Sequence, residues 1–447
     1  MEPFGWIAVA AGLAVAYFVT VARRNRFHET MREVSKRLGL TLVEQDRGSA
    51  RGRYRGFDVD LRVDKKTADD HTTYRLHHRL YAPDQIPTDV LLGSSDGLPR
   101  QSTAKVLATM DADFDRHFTV SGHRAEALAM LGASTRRALT ARLHDVSLIV
   151  AAGALVAVRD DADHDDADTI VRRLDELVEL AERLAVPHEE IFDRLMLNAL
   201  GDPLAAVRAE NLNCASAERP GSDALLALCR RALRDTDPRV RRVAATTLED
   251  EGRDELRALA VSSEVPEDVA ADALKSYATG ANGAELAELL QAVLRSSPHA
   301  AAKKEALDIV RAHRAAVPAT EIVAALDASS LVPAETVLRA LVTIGDGSVT
   351  SAIVSRLAAF SPADKVAACR ALRVIGTVEA VEALRELTRG VLRDREVAAA
   401  ADQAIAAIQL RARGEAGRLS VIDGAEAGGL ALAEGGALAV AEGQDDP

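Results

Sequence analysis

Six prolines, Pro203, Pro238, Pro266, Pro298, Pro333 and Pro362, recur at intervals of 35, 28, 32, 35 and 29 residues. A repeat of this length implies stacked supersecondary units that bury their apolar faces against one another. Four of the prolines follow a cap-forming residue: Asp202, Asp237, Ser297 and Ser361. Proline at the first helical position gives up no hydrogen bond, and Asp or Ser before it accepts one from the open backbone N–H groups. Downstream, apolar residues follow at steps of three to four, as in Val240, Ala244 and Leu248, or Val337, Ala340, Leu341 and Ile344. Val366, Cys369, Leu372 and Ile375 keep the same rhythm. Between prolines there is room for a second helix, over 225–233, 286–294 and 349–357. Helix pairs of this size in series form an α-solenoid, here expected over 188–412 with about seven pairs.

The run Asp237-Pro238-Arg239-Val240-Arg241-Arg242-Val243-Ala244-Ala245-Thr246-Thr247-Leu248 resembles the second helix of a HEAT-like repeat of the armadillo-type superfamily. Asp202-Pro203 with Val207-Arg208 is a looser copy, and the tetratricopeptide Trp/Gly/Tyr signature is absent. The resemblance implies that Arg208 and Arg241 pair with capping carboxylates of neighbouring units. It also leaves Arg230, Arg231, Arg234, Arg239, Arg241 and Arg242, six arginines within thirteen residues, as a candidate patch for an acidic protein partner.

Residues Phe4 to Ala22 carry no charge over nineteen positions and are followed by Arg23, Arg24 and Arg26. Such a run is long enough for a transmembrane helix. The one-sided basic cluster predicts the N-terminus outside and the bulk in the cytoplasm, on a bacterial inner (cytoplasmic) membrane. A cleaved signal peptide would need a basic stretch before the apolar run, which is missing. Ala8, Gly12 and Ala16, spaced four apart, suggest a homodimer through this helix.

The expected fold class is multi-domain and mainly α. It has a transmembrane helix (4–22), a small α+β domain with an antiparallel sheet (27–187), the solenoid (188–412) and a disordered tail (413–447). In the second part, Phe57, Val59, Leu61 and Val63 alternate with Asp58, Asp60, Arg62 and Asp64, the pattern of a half-buried strand. Tyr74, Leu76, His78 and Leu80 alternate likewise, Phe114, Phe118 and Val120 suggest a short strand, and 146–150 with 154–158 reads as a hairpin about Ala152-Gly153. The residues 169–184 form an amphipathic helix. The acids Asp160, Asp161, Asp163, Asp165, Asp166 and Asp168 precede it; they fail the calcium-loop template and favour the positive end of the helix dipole. His77 and His78 are strand neighbours, so they point to opposite faces and cannot chelate one ion.

The tail holds three eight-residue units: 417–424, 428–435 and 436–443. They share Gly-x-Leu-(Ser/Ala)-aliphatic-(Ile/Ala)-acid-Gly. Such units read either as linker or as short motifs that add as strands to a partner. The chain has only 3% aromatic residues against 48% hydrophobic, which suits closely packed helices. Three scattered cysteines give no disulfide or zinc framework, and a net charge of −13 argues against nucleic-acid binding. No phosphate loop, nucleophile elbow or dinucleotide fingerprint is present, so neither catalysis nor a cofactor is expected. The expected function is a membrane-anchored adaptor that binds protein partners through the solenoid. The alternative is an enzyme or small-ligand sensor in 27–187, with the solenoid as its recruiting module.

Overall fold

A computed structural model of the chain describes residues 25–43, 48–68, 71–94, 106–142, 146–160, 162–327, 332–389, 394–422, 431–432 and 438–439. The chain divides into two compact units, Met1–Leu248 and Glu249–Pro447.

The first unit opens with a helix over 25–38 (α1) and then builds a sheet. Its strands are β1 (Thr41–Val43), β2 (Ser49–Tyr54), β3 (Phe57–Ala68), β4 (His71–Tyr81), β5 (Val90–Ser94), β6 (Val106–Leu107), β7 (Phe118–Gly122), β8 (Ser147–Ala151) and β9 (Ala154–Arg159). They form one nine-stranded antiparallel sheet in the order β1-β2-β3-β4-β9-β8-β5-β7-β6. Both edge strands are very short, three and two residues, which limits pairing with other chains. The β2–β3 turn places Arg55 and Gly56 at φ 46° and 90°, and the β8–β9 turn places Ala152 and Gly153 at 49° and 72°. Two consecutive left-handed residues match the twist of a tight hairpin. A Cβ at Gly153 would also lie 2.6 Å from Pro83 Cα.

Helices interleave with these strands: α2 (Ala112–His117), α3 (Arg124–Met130), α4 (Ala133–Ala141) and α5 (Ala167–Leu184). The alternation in β3 turns Phe57, Val59 and Leu61 into the core and leaves Asp58 and Arg62 exposed. α1 and α5 cover the core face. Phe27 stacks on Tyr74 with ring centroids 6.1 Å apart, and Tyr54 Oη donates to Asp175 at 2.8 Å. Ile170, Leu174, Leu177, Val178 and Ala181 are completely buried along one stripe of α5, the face that a 3.6-residue period selects. Asp166 caps this helix, accepting from the Thr169 amide at 2.8 Å. Asp165 and Asp160 pair with Arg173 and Arg75, each at 2.5 Å, and Asp168 pairs with Arg37.

The same core continues into four more helices: α6 (Ile191–Gly201), α7 (Ala205–Glu218), α8 (Asp223–Ala232) and α9 (Pro238–Thr247). One buried cluster runs from Phe27 through Leu174 and Leu212 to Val240 and Leu248. α3 packs on both α6 and α7, and α7 on α9.

The second unit is helical: α10 (Arg253–Val261), α11 (Glu267–Gly280), α12 (Gly283–Ser296), α13 (Ala300–His313), α14 (Ala319–Ala324), α15 (Ala334–Ile344), α16 (Thr350–Val354), α17 (Pro362–Ile375), α18 (Ala380–Thr388) and α19 (Arg395–Ile422). α11, α13, α15, α17 and α19 pack each on the next. α10, α12 and α14 form a second row, as do α16 and α18. The periodic prolines stand at or just before α7, α9, α11, α13, α15 and α17, so they mark α7, which packs on α9 in the first unit, and the serially packed helices from α11 onward in the second. Two short strands, β10 (Ala431–Leu432) and β11 (Leu438–Ala439), pair with each other.

Two expectations are corrected. The fold is a nine-stranded antiparallel sheet followed by many helices, rather than a transmembrane helix ahead of a small α+β domain. Residues 4–22 lie outside the described residues, and among the described residues no helix is long and apolar enough to cross a membrane. The longest, α5 and α19, carry charges along their length, including Arg172, Arg173, Asp175 and Glu176 in α5. Placement as a single-pass inner-membrane protein is withdrawn on the same finding. The self-association expected of Ala8, Gly12 and Ala16 also falls outside the described residues. Locally, Phe114 lies in α2 and not in a strand, because Asp111 accepts from its amide at 3.2 Å and starts a helix there.

Candidate functional site

The six arginines that cluster in sequence are shared between two helices and the turn that joins them. Arg230 and Arg231 end α8, Arg234 lies in the following turn, and Arg239, Arg241 and Arg242 begin α9. Arg230, Arg231 and Arg234 are exposed, whereas the other three are half-buried. Arg241 donates to the carbonyls of Asp235 and Thr236 at 3.0 and 3.1 Å, and Arg239 lies 4.0 Å from Asp237. Arg241 therefore closes the loop before its own helix.

Neighbouring arginines extend this bracing into a ladder. Arg208 grips Asp235 with two bonds, Nε–Oδ2 at 2.9 Å and Nη2–Oδ1 at 2.7 Å. Asp235 in turn accepts from the Asp237 amide at 2.9 Å. Burial would raise the Asp235 carboxyl, but Arg208 and this amide outweigh it and hold it below the usual range. One rung earlier, Arg136 of α4 holds Asp202 bidentately at 3.0 and 3.1 Å, and its Nε lies 2.7 Å from Asp111. The Arg136 and Asp202 side chains are only 4% and 1% exposed. A bidentate guanidinium–carboxylate pair fixes orientation as well as charge, so these arginines set the spacing of successive loops.

A surface groove built from several elements lies in the second unit. Arg311 of α13, Glu335, Leu338, Arg339, Val342 and Thr343 of α15, and Ala367, Arg370 and Ala371 of α17 line a groove of about 360 Å³. Its floor is aliphatic, and three arginines stand around it against one glutamate. Arg311 reaches Asp308 at 3.0 Å, Arg339 pairs with Glu335, and Arg370 lies 3.6 Å from Glu396. A guanidinium has five N–H donors, so these exposed pairs leave capacity for a further carboxylate. The sequence signal was an internal copy. Arg339-Ala340-Leu341 before Ile344-Gly345 and Arg370-Ala371-Leu372 before Ile375-Gly376 are 31 residues apart. Gly345 caps α15 at φ 76°, donating to the Leu341 carbonyl, a conformation that favours glycine.

The first unit offers an open groove on the exposed face of the sheet, lined by Arg51, Arg53, Asp58, Asp60, Arg79 and Tyr81. Its charges engage each other: Arg51 pairs with Asp60 at 3.1 Å, and Arg79 stacks over Tyr81 at 5.4 Å. The strand alternation splits the adjacent histidines. His77 Nε2 lies 3.0 Å from Asp64, while His78 is fully buried, and the Ala157 main chain beside its ring only partly offsets that burial. Among the described residues no group of three or more His, Cys, Asp or Glu could hold a metal. Cys214, Cys229 and Cys369 are buried thiols, pushed up to about 11 chiefly by desolvation, and so are poor nucleophiles.

Burial, then the Arg173 charge and His77, push His78 down to about 3. The unfolded chain takes up a proton near pH 6.5 that the folded chain refuses. Stability is therefore complete above that value and falls as pH drops toward 3, at about 1.4 kcal/mol per pH unit. Between about pH 7.5 and about pH 5 the loss from this one residue is expected to be about 2 kcal/mol. His78→Leu should shrink the difference in unfolding free energy, read from urea titrations at those two pH values, by that amount. Equal differences in parent and variant would show that His78 takes up its proton as readily in the folded chain as in the unfolded one.

No protein-family profile, no curated protein and no solved structure matches this chain.

Proposed function

We propose that this protein is a non-catalytic adaptor whose HEAT-like helical array binds protein partners. The groove over α13, α15 and α17 would serve as the recognition site for an acidic, aliphatic peptide segment. One observation carries the reading: three successive helices of the same row contribute Arg311, Arg339 and Arg370 around an aliphatic floor. Stacked helix pairs offer extended surfaces of this kind without a reactive centre. Leucine or valine side chains would occupy the floor, and carboxylates would meet the guanidinium rim. Exposed charge pairs of this sort weaken with salt, because the Debye length is about 8 Å at physiological ionic strength.

Selection of random twelve-residue peptides displayed on phage against the full chain tests this. Sequences combining Leu, Ile or Val with Asp or Glu are expected to be enriched. Arg339→Glu with Arg370→Glu should weaken them by at least about tenfold, equivalent to 1.4 kcal/mol. Both positions are exposed, so circular dichroism should be unchanged. Selected peptides that bind the double variant as tightly as the parent would sink the groove as the site.

A further inference from the structure

We propose that the groove's resident ligand is the chain's own C-terminal segment, residues 428–443, which docks there as a pseudo-partner and limits access by others. The inference rests on the reading of the groove as a peptide site. Three observations support it.

The first is chemical complementarity. The second and third tail repeats, Gly428-Gly429-Leu430-Ala431-Leu432-Ala433-Glu434-Gly435 and Gly436-Ala437-Leu438-Ala439-Val440-Ala441-Glu442-Gly443, each supply two large aliphatic residues two positions apart and one glutamate. Those residue types match an aliphatic floor rimmed by Arg311, Arg339 and Arg370.

The second is the pairing of the tail with itself. β10 and β11 are antiparallel, with Ala431 opposite Ala439 and Leu432 opposite Leu438. The register sets Leu432 of the second repeat opposite Leu438 of the third. A lone two-stranded hairpin is marginal in water and needs a surface to pack on.

The third is reach. Arg411 of α19 donates to the carbonyls of Arg373 and Gly376, at 2.5 and 2.8 Å, so it sits beside the C-terminal end of α17. From there α19 runs eleven residues further to Ile422, about 16 Å at 1.5 Å per residue. Returning to the level of Arg370 and crossing one helix spacing of about 10 Å takes about 30 Å in all. Leu430 is eight residues past Ile422 and Leu432 ten, giving about 26 and 33 Å of extended chain. Leu430 therefore falls short, while Leu432 reaches and brings with it Leu438, which lies opposite it in the hairpin. Val374, Val378 and Leu410, all well exposed, lie at the end of α17 and α19 over which the chain would return.

Two measurements test the inference. In the full chain, Leu438 is replaced by p-benzoylphenylalanine, and equal amounts of unlabelled and ¹⁵N-labelled protein are irradiated together. Crosslinks to groove residues of α15 or α17 within one isotope class are expected. Crosslinks between classes would assign the tail to a second copy, and crosslinks elsewhere or none would remove the groove as its seat; each overturns the inference.

In the second measurement, a peptide from the phage selection is titrated into the full chain and into a chain ending at Ile422. A tethered tail has an effective concentration near the millimolar range. The shortened chain should therefore bind about tenfold more tightly, and Glu434→Lys with Glu442→Lys should reproduce most of that gain. Equal binding by both chains overturns the tail inference and leaves the groove standing. A shortened chain that binds no selected peptide overturns the groove reading itself.

Discussion

Arg136→Met is expected to destabilise the first unit by about 3–5 kcal/mol, because it strands a buried carboxylate. The guanidinium accounts for both hydrogen bonds that Asp202 receives from α4, and it also reaches Asp111 and the Leu131 carbonyl, both at 2.7 Å. Without it, the Asp202 carboxylate keeps the Leu204 amide at 3.0 Å, while the Arg208 guanidinium stays bound to its main-chain carbonyl. A neutral partner is cheaper to leave behind than a charge. Arg136→Met combined with Asp202→Asn should therefore recover part of the loss while retaining the side-chain acceptor for Leu204. Urea unfolding followed by circular dichroism gives all three values. A single-variant loss below about 1 kcal/mol would mean that water reaches Asp202 and that the pair is not a true interior contact. The same cluster carries an acid dependence. Burial raises the Asp111 carboxyl, but Arg136 and the Phe114 amide outweigh this and hold it below its usual value. Its contribution is thus present above about pH 4 and is lost as pH falls through the lowered value.

Ala244→Arg should cost a comparable amount, about 3–5 kcal/mol, through overpacking and an unpaired buried charge. Ala244 is fully buried in α9, on the face shared with Val240. α9 packs against α7, and no rotamer of a long cation can leave that contact without moving one helix. Ala244→Gly is the control: it removes one methyl group and should cost about 1 kcal/mol through helix propensity. If the arginine variant unfolds at nearly the parent's urea concentration, the helix face has been assigned wrongly.

Much of the sheet was legible because half-buried strands write their burial into the sequence. β3 alternates over 57–64 and β4 over 74–80, and the left-handed pair Ala152-Gly153 closes a hairpin between two apolar runs. β5 was missed because Val90, Leu92, Gly93 and Ser94 are all buried, and a strand covered on both faces shows no alternation. β1 and β6 are too short to carry a pattern. The proline period located alternate helices within each unit, since each proline stands at or near a helix start. The groove was harder to see. Arg339 and Arg370 become neighbours only because α15 packs on α17, so their 31-residue separation shows no local charge density. The cluster from Arg230 to Arg242 is dense in sequence and so is visible at once; the structure divides it by a turn between two helices and folds Arg241 back onto its own loop.

The core that runs without a break from α1 and the sheet into α7 and α9 bears on how such a chain can change in evolution. Duplication lengthens a helical array when a new pair meets only its immediate neighbours. α6 and α7 do not satisfy that condition, since α3 packs on both and Arg136 and Asn198 tie the loops together, Asn198 donating to the Leu128 carbonyl at 3.0 Å. Recombination at the sheet-to-helix transition near 187 would expose apolar surface on both fragments. Gain or loss of helix pairs is expected among the later members, where packing is serial, while the first two stay inherited with the sheet as one block.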